Sequence, residues 1–238
     1  SSSWTLTALP LFVWMGEILF RTKLSENLFK GLSPWLQKMP GGLIHVNVVG
    51  CALFAAISGS SAATVATVGK MSIPELRKRN YPEKILLGSL AGSGTLGLLI
   101  PPSIIVMIYG VAVQESIAKL FIAGIIPGLM IALIFMSYVV IWSLINKKMM
   151  PKILEEYSFL EKIKRSKQLL PVILLISAVI GSIYTGIATA TEAASLGVVG
   201  ALILSLFQGT LNKDSFKLSL LGATKTSCMI AFILAGST

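Results

Sequence analysis

Charge is what this chain has least of. No Asp, Glu, Lys or Arg occurs in 39–69, 85–114, 120–146, 168–191 or 193–212, and charged residues make up only 13% of the 238. A soluble domain carries roughly 25%, and a spanning helix needs about 20 apolar residues. Five such runs exclude an ordinary soluble fold. Lipid offers the backbone no hydrogen-bond partner, so the runs are expected to be helical wherever they face it. Outer-membrane strands alternate over about ten residues, and these runs do not.

Other absences narrow the chemistry. There is one histidine, His45, so no multi-histidine metal site can form. The two cysteines, Cys51 and Cys228, lie in apolar surroundings without CxxC spacing and read as packing residues. HExxH, GxSxG and GxxxxGK[ST] are all missing, so zinc proteases, α/β-hydrolases and ATP-driven pumps have no support, and no enzyme is expected. The chain opens on Ser-Ser-Ser without a signal-peptide pattern and closes within an apolar run, so it reads as a fragment.

What charge there is sits between the runs. The net +10 comes from four basic segments: 21–38, 70–84, 147–167 and 211–225. That pattern follows the positive-inside rule and not a nucleic-acid surface. With all four on the cytoplasmic side, the chain must cross an even number of times between neighbours. One pair of spans fits 85–146 with a turn near Gln114-Glu115-Ser116, and another fits 168–212 with a turn near Thr185-Gly186. The 39–69 run is too short for two full spans. Two arms of about fourteen residues, at 1.5 Å each, reach about 21 Å into a core about 30 Å thick. A re-entrant hairpin with its tip at Ser58-Gly59-Ser60-Ser61 satisfies parity; a single long tilted helix is the rival.

The expected architecture is an all-α polytopic membrane protein. It has a transmembrane helix at 1–20, an interfacial amphipathic arm at 21–38, the re-entrant hairpin at 39–69 and a cytoplasmic loop at 70–84. A broken transmembrane helix follows at 85–113, then a transmembrane helix at 117–146 and a cytoplasmic basic loop at 147–167. Two transmembrane helices at 168–212 and the truncated start of another at 221–238 complete it. In the arm, Leu24, Leu28, Phe29, Leu32, Trp35 and Leu36 form an apolar stripe, interrupted by Pro34. Such a stripe either lies on the bilayer surface or packs against another subunit.

Two places carry chemistry. Gly88, Gly92, Gly94 and Gly97 lead into Pro101-Pro102-Ser103. Both prolines lack an N–H, and Pro102 disfavours helix at the residue before it, so the span is interrupted and carbonyls are freed at depth. Such backbone is tolerated only where protein or a cavity surrounds it. Broken helices at the midplane commonly bind ions and solutes in transporters. The neighbouring hydroxyls of Ser60, Ser61, Thr64, Thr67 and Thr95 are uncharged hard-oxygen donors suited to a monovalent cation. For Gly88 and Gly92 close helix packing is the better explanation. Glu192 is either an intramembrane carboxylate or the external end of a hairpin. Glu17 is expected at the interface, one turn before Arg21; His45 is expected to be a hydrogen-bonded packing residue.

Phe54-Ala-Ala-Ile-Ser-Gly-Ser-Ser-Ala-Ala-Thr-Val-Ala-Thr-Val-Gly69 resembles the first hairpin of the large membrane subunit of TRAP (tripartite ATP-independent periplasmic) transporters. Met71-Ser-Ile-Pro-Glu-Leu-Arg-Lys-Arg-Asn-Tyr-Pro-Glu-Lys84 and Gly88-Ser-Leu-Ala-Gly-Ser-Gly-Thr-Leu-Gly-Leu-Leu-Ile-Pro-Pro-Ser103 are similar to the loop and broken helix that follow it. Gly186-Ile-Ala-Thr-Ala-Thr-Glu-Ala-Ala-Ser-Leu-Gly-Val-Val-Gly200 is similar to a later signature. The likeness covers essentially the whole chain, and the hairpin-to-break segment is its specific part.

The resemblance implies a sodium-coupled importer of small organic acids, of C4-dicarboxylate or sugar-acid type, in the bacterial inner membrane. A periplasmic binding protein delivers the solute, a small four-helix membrane subunit accompanies the large one, and an elevator-like motion carries a mobile domain across the bilayer. Sodium is the coupling ion and no other cofactor is implied. The family's first sodium site sets Gly59, Ser60 and Ser61 opposite Gly97, Pro101, Pro102 and Ser103, with sodium on Ser60, Ser61, Gly97 and Pro101. Thr64 and Thr95 belong to the same sodium and substrate group on their hydroxyls. The family's fold is an inverted repeat whose second hairpin and second Pro-Pro break are absent here, so this is half of it. A stand-alone dicarboxylate or ion carrier of similar architecture and a non-transporting membrane scaffold are the alternatives.

Overall fold

The computed structural model describes residues 5–22, 24–151, 157–167 and 169–237, and among them helices joined by turns are the only regular structure. Eleven α-helices follow in order: α1 Thr5–Phe20, α2 Leu24–Leu36, α3 Ile44–Ser58, α4 Ser61–Lys78, α5 Glu83–Gly94, α6 Ile104–Ala112, α7 Ile117–Ile145, α8 Phe159–Ser166, α9 Leu170–Tyr184, α10 Ala190–Phe207 and α11 Lys213–Ser237. Residues 1–4, at the start of the expected first span, lie outside the described residues, as do 152–156 of the basic loop.

Length and composition mark α7, α10 and α11 as membrane-crossing, and α8 with α9 passes the same test as a pair bent by 55°. Only 17% of the apolar window of α7 is buried. Ile126 and Ile145 are each 77% exposed on it, the reverse of a soluble helix. Large apolar surface of this extent requires a lipid or protein partner, and the chain is an integral membrane protein. The α1 helix, 16 residues long, falls short of the roughly 20 needed for a full span.

The 39–69 segment forms a helical hairpin. Chain direction reverses at Gly59, whose φ of 58° ends α3 through a hydrogen bond from its N–H to the Ala55 carbonyl. Ser60 then starts α4 in extended geometry, its hydroxyl accepting from Ala63 N–H at 3.4 Å. The arms run antiparallel. Leu43 and Leu76 share one apolar cluster at the base, and a Cβ on Gly50 would lie 3.5 Å from Val68 midway. The second arm does not stop at 69 but continues as helix through 70–78. Pro74 does not end it, and only 79–82 remain as the connecting turn.

Helix α5 packs on both arms. Asn47 of α3, fully buried, donates to the Leu86 carbonyl (3.2 Å) and to Ser89 Oγ (3.0 Å), and Ser93 Oγ donates to the Asn47 carbonyl at 3.4 Å. Hydrogen bonds between buried polar groups fix register as well as contact, so these fix how α5 lies along the hairpin. The arm stripe turns inward. Leu28 joins the core with α1, and Phe29 packs with Leu43, Val46, Leu76 and Leu86. Pro34 stays inside α2. Part of the amphipathic face, at Leu28 and Phe29, is thus covered by this chain's own helices, while Trp35 stays 45% exposed.

Three of the four basic segments come together. Lys30, Arg79 and Arg165 line one cavity, and Lys38 and Lys147 another. Beside the second, Tyr81 Oη accepts from Leu43 N–H at 3.0 Å, and burial pushes its ionisation above the ordinary tyrosine range. It therefore remains a neutral hydroxyl at physiological pH.

Candidate functional site at the hairpin tip

The hairpin tip and the broken helix meet backbone to backbone. The α-helix α5 ends at Gly94, tightens into a 3₁₀ turn at Thr95–Leu98, and resumes as α6 only at Ile104; the Pro101–Pro102 peptide is cis. Ile104 N–H donates to the Gly59 carbonyl at 3.2 Å. A Cβ on Gly59 would lie 2.4 Å from the Pro102 carbonyl oxygen, and one on Gly97 would lie 2.8–2.9 Å from Ser60 C, Ser60 O and Ser61 N. Neither position has room for any other residue. Glycine is required here by close approach of two main chains.

Hydroxyls crowd the same spot. Thr64, fully buried, donates to the Ser60 carbonyl (2.7 Å) and lies 2.9 Å from Ser58 Oγ. Ser103, also fully buried, donates to the Leu98 carbonyl at 2.6 Å and caps α6 by accepting from Val106 N–H at 3.4 Å. Ser60 is held by its capping bond. Ser61 is different, because its hydroxyl makes no hydrogen bond among the described residues. The junction therefore gathers neutral oxygens from Ser58, Ser60, Thr64 and Ser103, with no carboxylate among them, and the Ser61 main chain lies against Gly97 beside them. Such a donor set fits a weakly polarising monovalent ion and not a transition metal. Among the described residues no group of three or more His, Cys, Asp or Glu exists.

Of the residues singled out in the sequence, Gly59, Ser60, Ser61, Gly97 and Pro102 converge at this junction, with Thr64 and Ser103 beside it. Thr95 lies outside the buried group: it is exposed, and its hydroxyl donates to the Gly92 carbonyl at 2.7 Å. The Pro101 ring turns toward α7, 3.6 Å from where a Cβ on Gly124 would stand. Thr67 is buried with its hydroxyl on the Ala63 carbonyl (2.7 Å). A Cβ on Gly92 would touch the Phe135 ring at 3.0 Å, in keeping with packing, whereas Gly88 has nothing within 4 Å.

Sequence reading missed what seats the junction. Gly124 and Gly128 of α7 face the break, where Cβ atoms would come within 3.0 Å of the Leu99 carbonyl and 2.9 Å of Ile100 Cγ1. Gly16 of α1 does the same for the tip, 3.0 Å from Ser58 Cα. The signal was present, since Gly124-x-x-x-Gly128 is the spacing that lets helices approach closely. A cavity of about 310 Å³ opens beside the tip, lined by Ser58, Ser60, Gly16, Glu17, Ile104 and Thr226 among others. Among the described residues Glu17 is the one charged residue in its wall. It pairs with Arg21 one turn on and lies against Gly222 of α11.

A family model described as "Tripartite ATP-independent periplasmic transporter, DctM component" matches residues 1–238. The chain belongs to this family. It is 36% identical over 238 residues to the C4-dicarboxylate TRAP transporter large permease protein DctM of Pseudomonas aeruginosa, covering all of this chain and 55% of that protein. To the sialic acid TRAP transporter large permease protein SiaM of Vibrio cholerae it is 34% identical, covering 99% and 55%. To the isethionate TRAP transporter permease protein DctMQ of Oleidesulfovibrio alaskensis it is 34% identical, covering 99% and 37%. The chain therefore spans about half the length of the DctM and SiaM relatives it matches.

The remaining candidates are ordinary structural groups. Glu192 closes a capping box at the start of α10: its carboxylate accepts from Thr189 N–H and Thr189 Oγ1, both at 2.8 Å, and its own N–H donates to Thr189 Oγ1 at 3.3 Å. It is exposed. A capping box accepts Gln at the same position, so Glu192→Gln in the full-length permease should leave uptake and its pH profile unchanged. Loss of uptake with expression intact would assign the carboxylate a coupling role. His45 is fully buried, its Nε2 on the Pro40 carbonyl at 2.7 Å. Cys51 is buried as expected; Cys228 is exposed on α11.

Proposed function

We propose that this chain forms the first hairpin and broken helix of a large permease subunit that couples entry of a small organic acid to sodium. The acid is of C4-dicarboxylate or sugar-acid type. The membrane is the bacterial inner membrane, a periplasmic binding protein delivers the solute, and a small four-helix membrane subunit completes the complex. One observation carries the reading: the hairpin tip is bonded to the helix break, through Ile104 N–H and the Gly59 carbonyl, inside a cluster of uncharged oxygens. A membrane scaffold has no use for such a junction, since buried irregular backbone is costly unless it does something.

Electrostatics favours sodium over a fixed cation. Among the described residues the wall of the cavity beside the tip carries no Lys or Arg, and its one charged residue is Glu17. An anionic solute there lacks a countercharge from the cavity wall itself. Sodium on Ser60, Ser61 and the backbone of Gly97 and Pro101 supplies that charge on entry and removes it on release. Two of the relatives are named for C4-dicarboxylates and sialic acid, both carboxylates, which supports an acid as cargo.

The test is uptake by the full-length permease, reconstituted with its small membrane subunit and its binding protein in proteoliposomes. Labelled C4-dicarboxylate and sugar acid are offered under an inward sodium gradient. Uptake of one acid is expected to collapse when potassium replaces sodium. Uptake driven equally well by a proton gradient in the absence of sodium would overturn the coupling assignment.

A further inference from the structure

We propose that a buried water molecule bridges the two hairpin arms, bound between Asn47 Oδ1 of α3 and Ser72 Oγ of α4. Both residues are fully buried, and neither atom has a hydrogen-bond partner among the described residues. The Asn47 amide is fixed from its other side. Its Nδ2 donates to the Leu86 carbonyl and to Ser89 Oγ, and Ser89 Oγ in turn donates to the Leu86 carbonyl. A carbonyl only accepts, so the amide nitrogen must face Leu86, and Oδ1 is turned away from it. A buried acceptor and a buried hydroxyl are costly when unpaired, and native interiors pair such groups with protein or with ordered water.

The two atoms belong to one level of one seam. Leu43 shares a cluster with Leu76, and the Cβ position of Gly50 lies 3.5 Å from Val68. Asn47, between 43 and 50, therefore falls opposite Ser72, between 68 and 76. On α4, a Cβ on Gly69 would meet Leu90 of α5 at 2.9 Å, and Leu76 packs with Leu86. Ser72 stands between them at helical spacing, on the face turned to the stretch of α5 that Asn47 also touches. Gly50, one turn from Asn47, carries no side chain. Beyond its own helix, only methyls of Val68 lie within 4 Å of its Cβ position among the described residues, which leaves room in the seam. A buried water needs about two to four polar partners. Here it donates to Oδ1, which only accepts, and exchanges a second bond with the Ser72 hydroxyl, which can give or take. The bridge ties α4 to the α3–α5 pair where Ser93 Oγ already joins the Asn47 carbonyl at 3.4 Å. Helix α5 runs straight into the 3₁₀ turn that carries Gly97, so one water holds both arms and the break in a common register. It needs no ion at the tip to do so.

A cryo-EM map of the full-length permease with its small membrane subunit, fine enough to show ordered water, tests the site directly. It is expected to hold a peak within hydrogen-bond distance of both Asn47 Oδ1 and Ser72 Oγ. Direct contact of the two atoms, or a seam without a peak, would overturn the bridge. The sign of one substitution gives a second readout. A hydroxyl that holds water loses a bond on truncation, so Ser72→Ala should lower the melting temperature of the purified permease by about 2–4 °C. A bare hydroxyl is a buried unpaired group whose removal brings relief, so an unchanged or higher melting temperature would sink the proposal. In an Asn47→Ala background the water is already lost, and Ser72→Ala should cost nothing further. Losses that add in full would also count against the bridge. The map and the single Ser72→Ala variant decide the matter even where Asn47→Ala yields no folded protein.

Discussion

Replacing Gly59 with alanine should abolish solute uptake by the full-length permease while leaving its insertion intact. Two costs act together. The φ of 58° is left-handed, which a side chain adopts at about 1–2 kcal/mol. The new methyl would also stand 2.4 Å from the Pro102 carbonyl oxygen and 3.1 Å from Ile104 N, both main-chain atoms. Nothing flexible is there to yield, so tip and break must separate, and overpacking of this kind costs about 1–3 kcal/mol. Together the penalties stay below the about 5–15 kcal/mol that holds a domain folded. The Ile104 N–H to Gly59 bond is lost, and with it the junction that gathers the oxygens. Gly88→Ala is the control, since nothing lies within 4 Å of its Cβ. Proteoliposome uptake, with membrane yield measured alongside, decides the matter; wild-type uptake by Gly59→Ala would show that the tip tolerates separation.

Much of this fold was legible because apolar runs, proline pairs and glycines act locally. A run without charge needs no tertiary information to be read as membrane helix, and Pro101-Pro102 interrupts a helix wherever it stands. The hairpin tip was legible for the same reason, as small polar residues in a run too short to cross twice. The boundaries were less so. Nothing local in Lys70, Glu75, Arg77 and Lys78 says helix, and charge there reads as loop. The second arm is helical to Lys78 because Leu76 and Val68 have partners in α3 and α5 to pack against, a tertiary fact. In the same way the stripe of α2 showed that one face is buried but not what covers it.

The site divides along the same line. That tip and break would meet was supplied by the family likeness; spacing alone left them 36 residues apart, from Ser61 to Gly97. The supporting glycines of α1 and α7 escaped notice because each acts on a neighbour distant in sequence. Thr95 lies apart from the buried hydroxyls for a simple reason. A hydroxyl near a break can turn either way, and in the 3₁₀ turn its geometry sends it back to the Gly92 carbonyl.

The uncommitted hydroxyl makes Ser61 the sharpest place to probe sodium. Ser60→Ala removes the cap of α4, which by itself costs about 0.5–2 kcal/mol of helix stability, so any loss of coupling would have two causes. Ser61 has no such second role among the described residues, and its Oγ can be deleted without stranding a partner. Backbone carbonyls remain, so affinity should weaken and not vanish. One lost ligand at a buried polar site is worth about 1–3 kcal/mol, and each 1.4 kcal/mol is about tenfold. The half-saturating sodium concentration for Ser61→Ala should therefore rise about five- to a hundredfold, with the maximal rate recovered at high sodium. Ser195→Ala provides the comparison, an exposed hydroxyl on α10 that donates to the Thr191 carbonyl of its own helix. The measurement is initial uptake by the full-length permease at saturating solute across a sodium series. If Ser60→Ala and Ser61→Ala both keep the wild-type sodium dependence, the ion does not sit at the tip. Ser61 then only starts a helix, and the junction of Gly59 with Ile104 is packing alone.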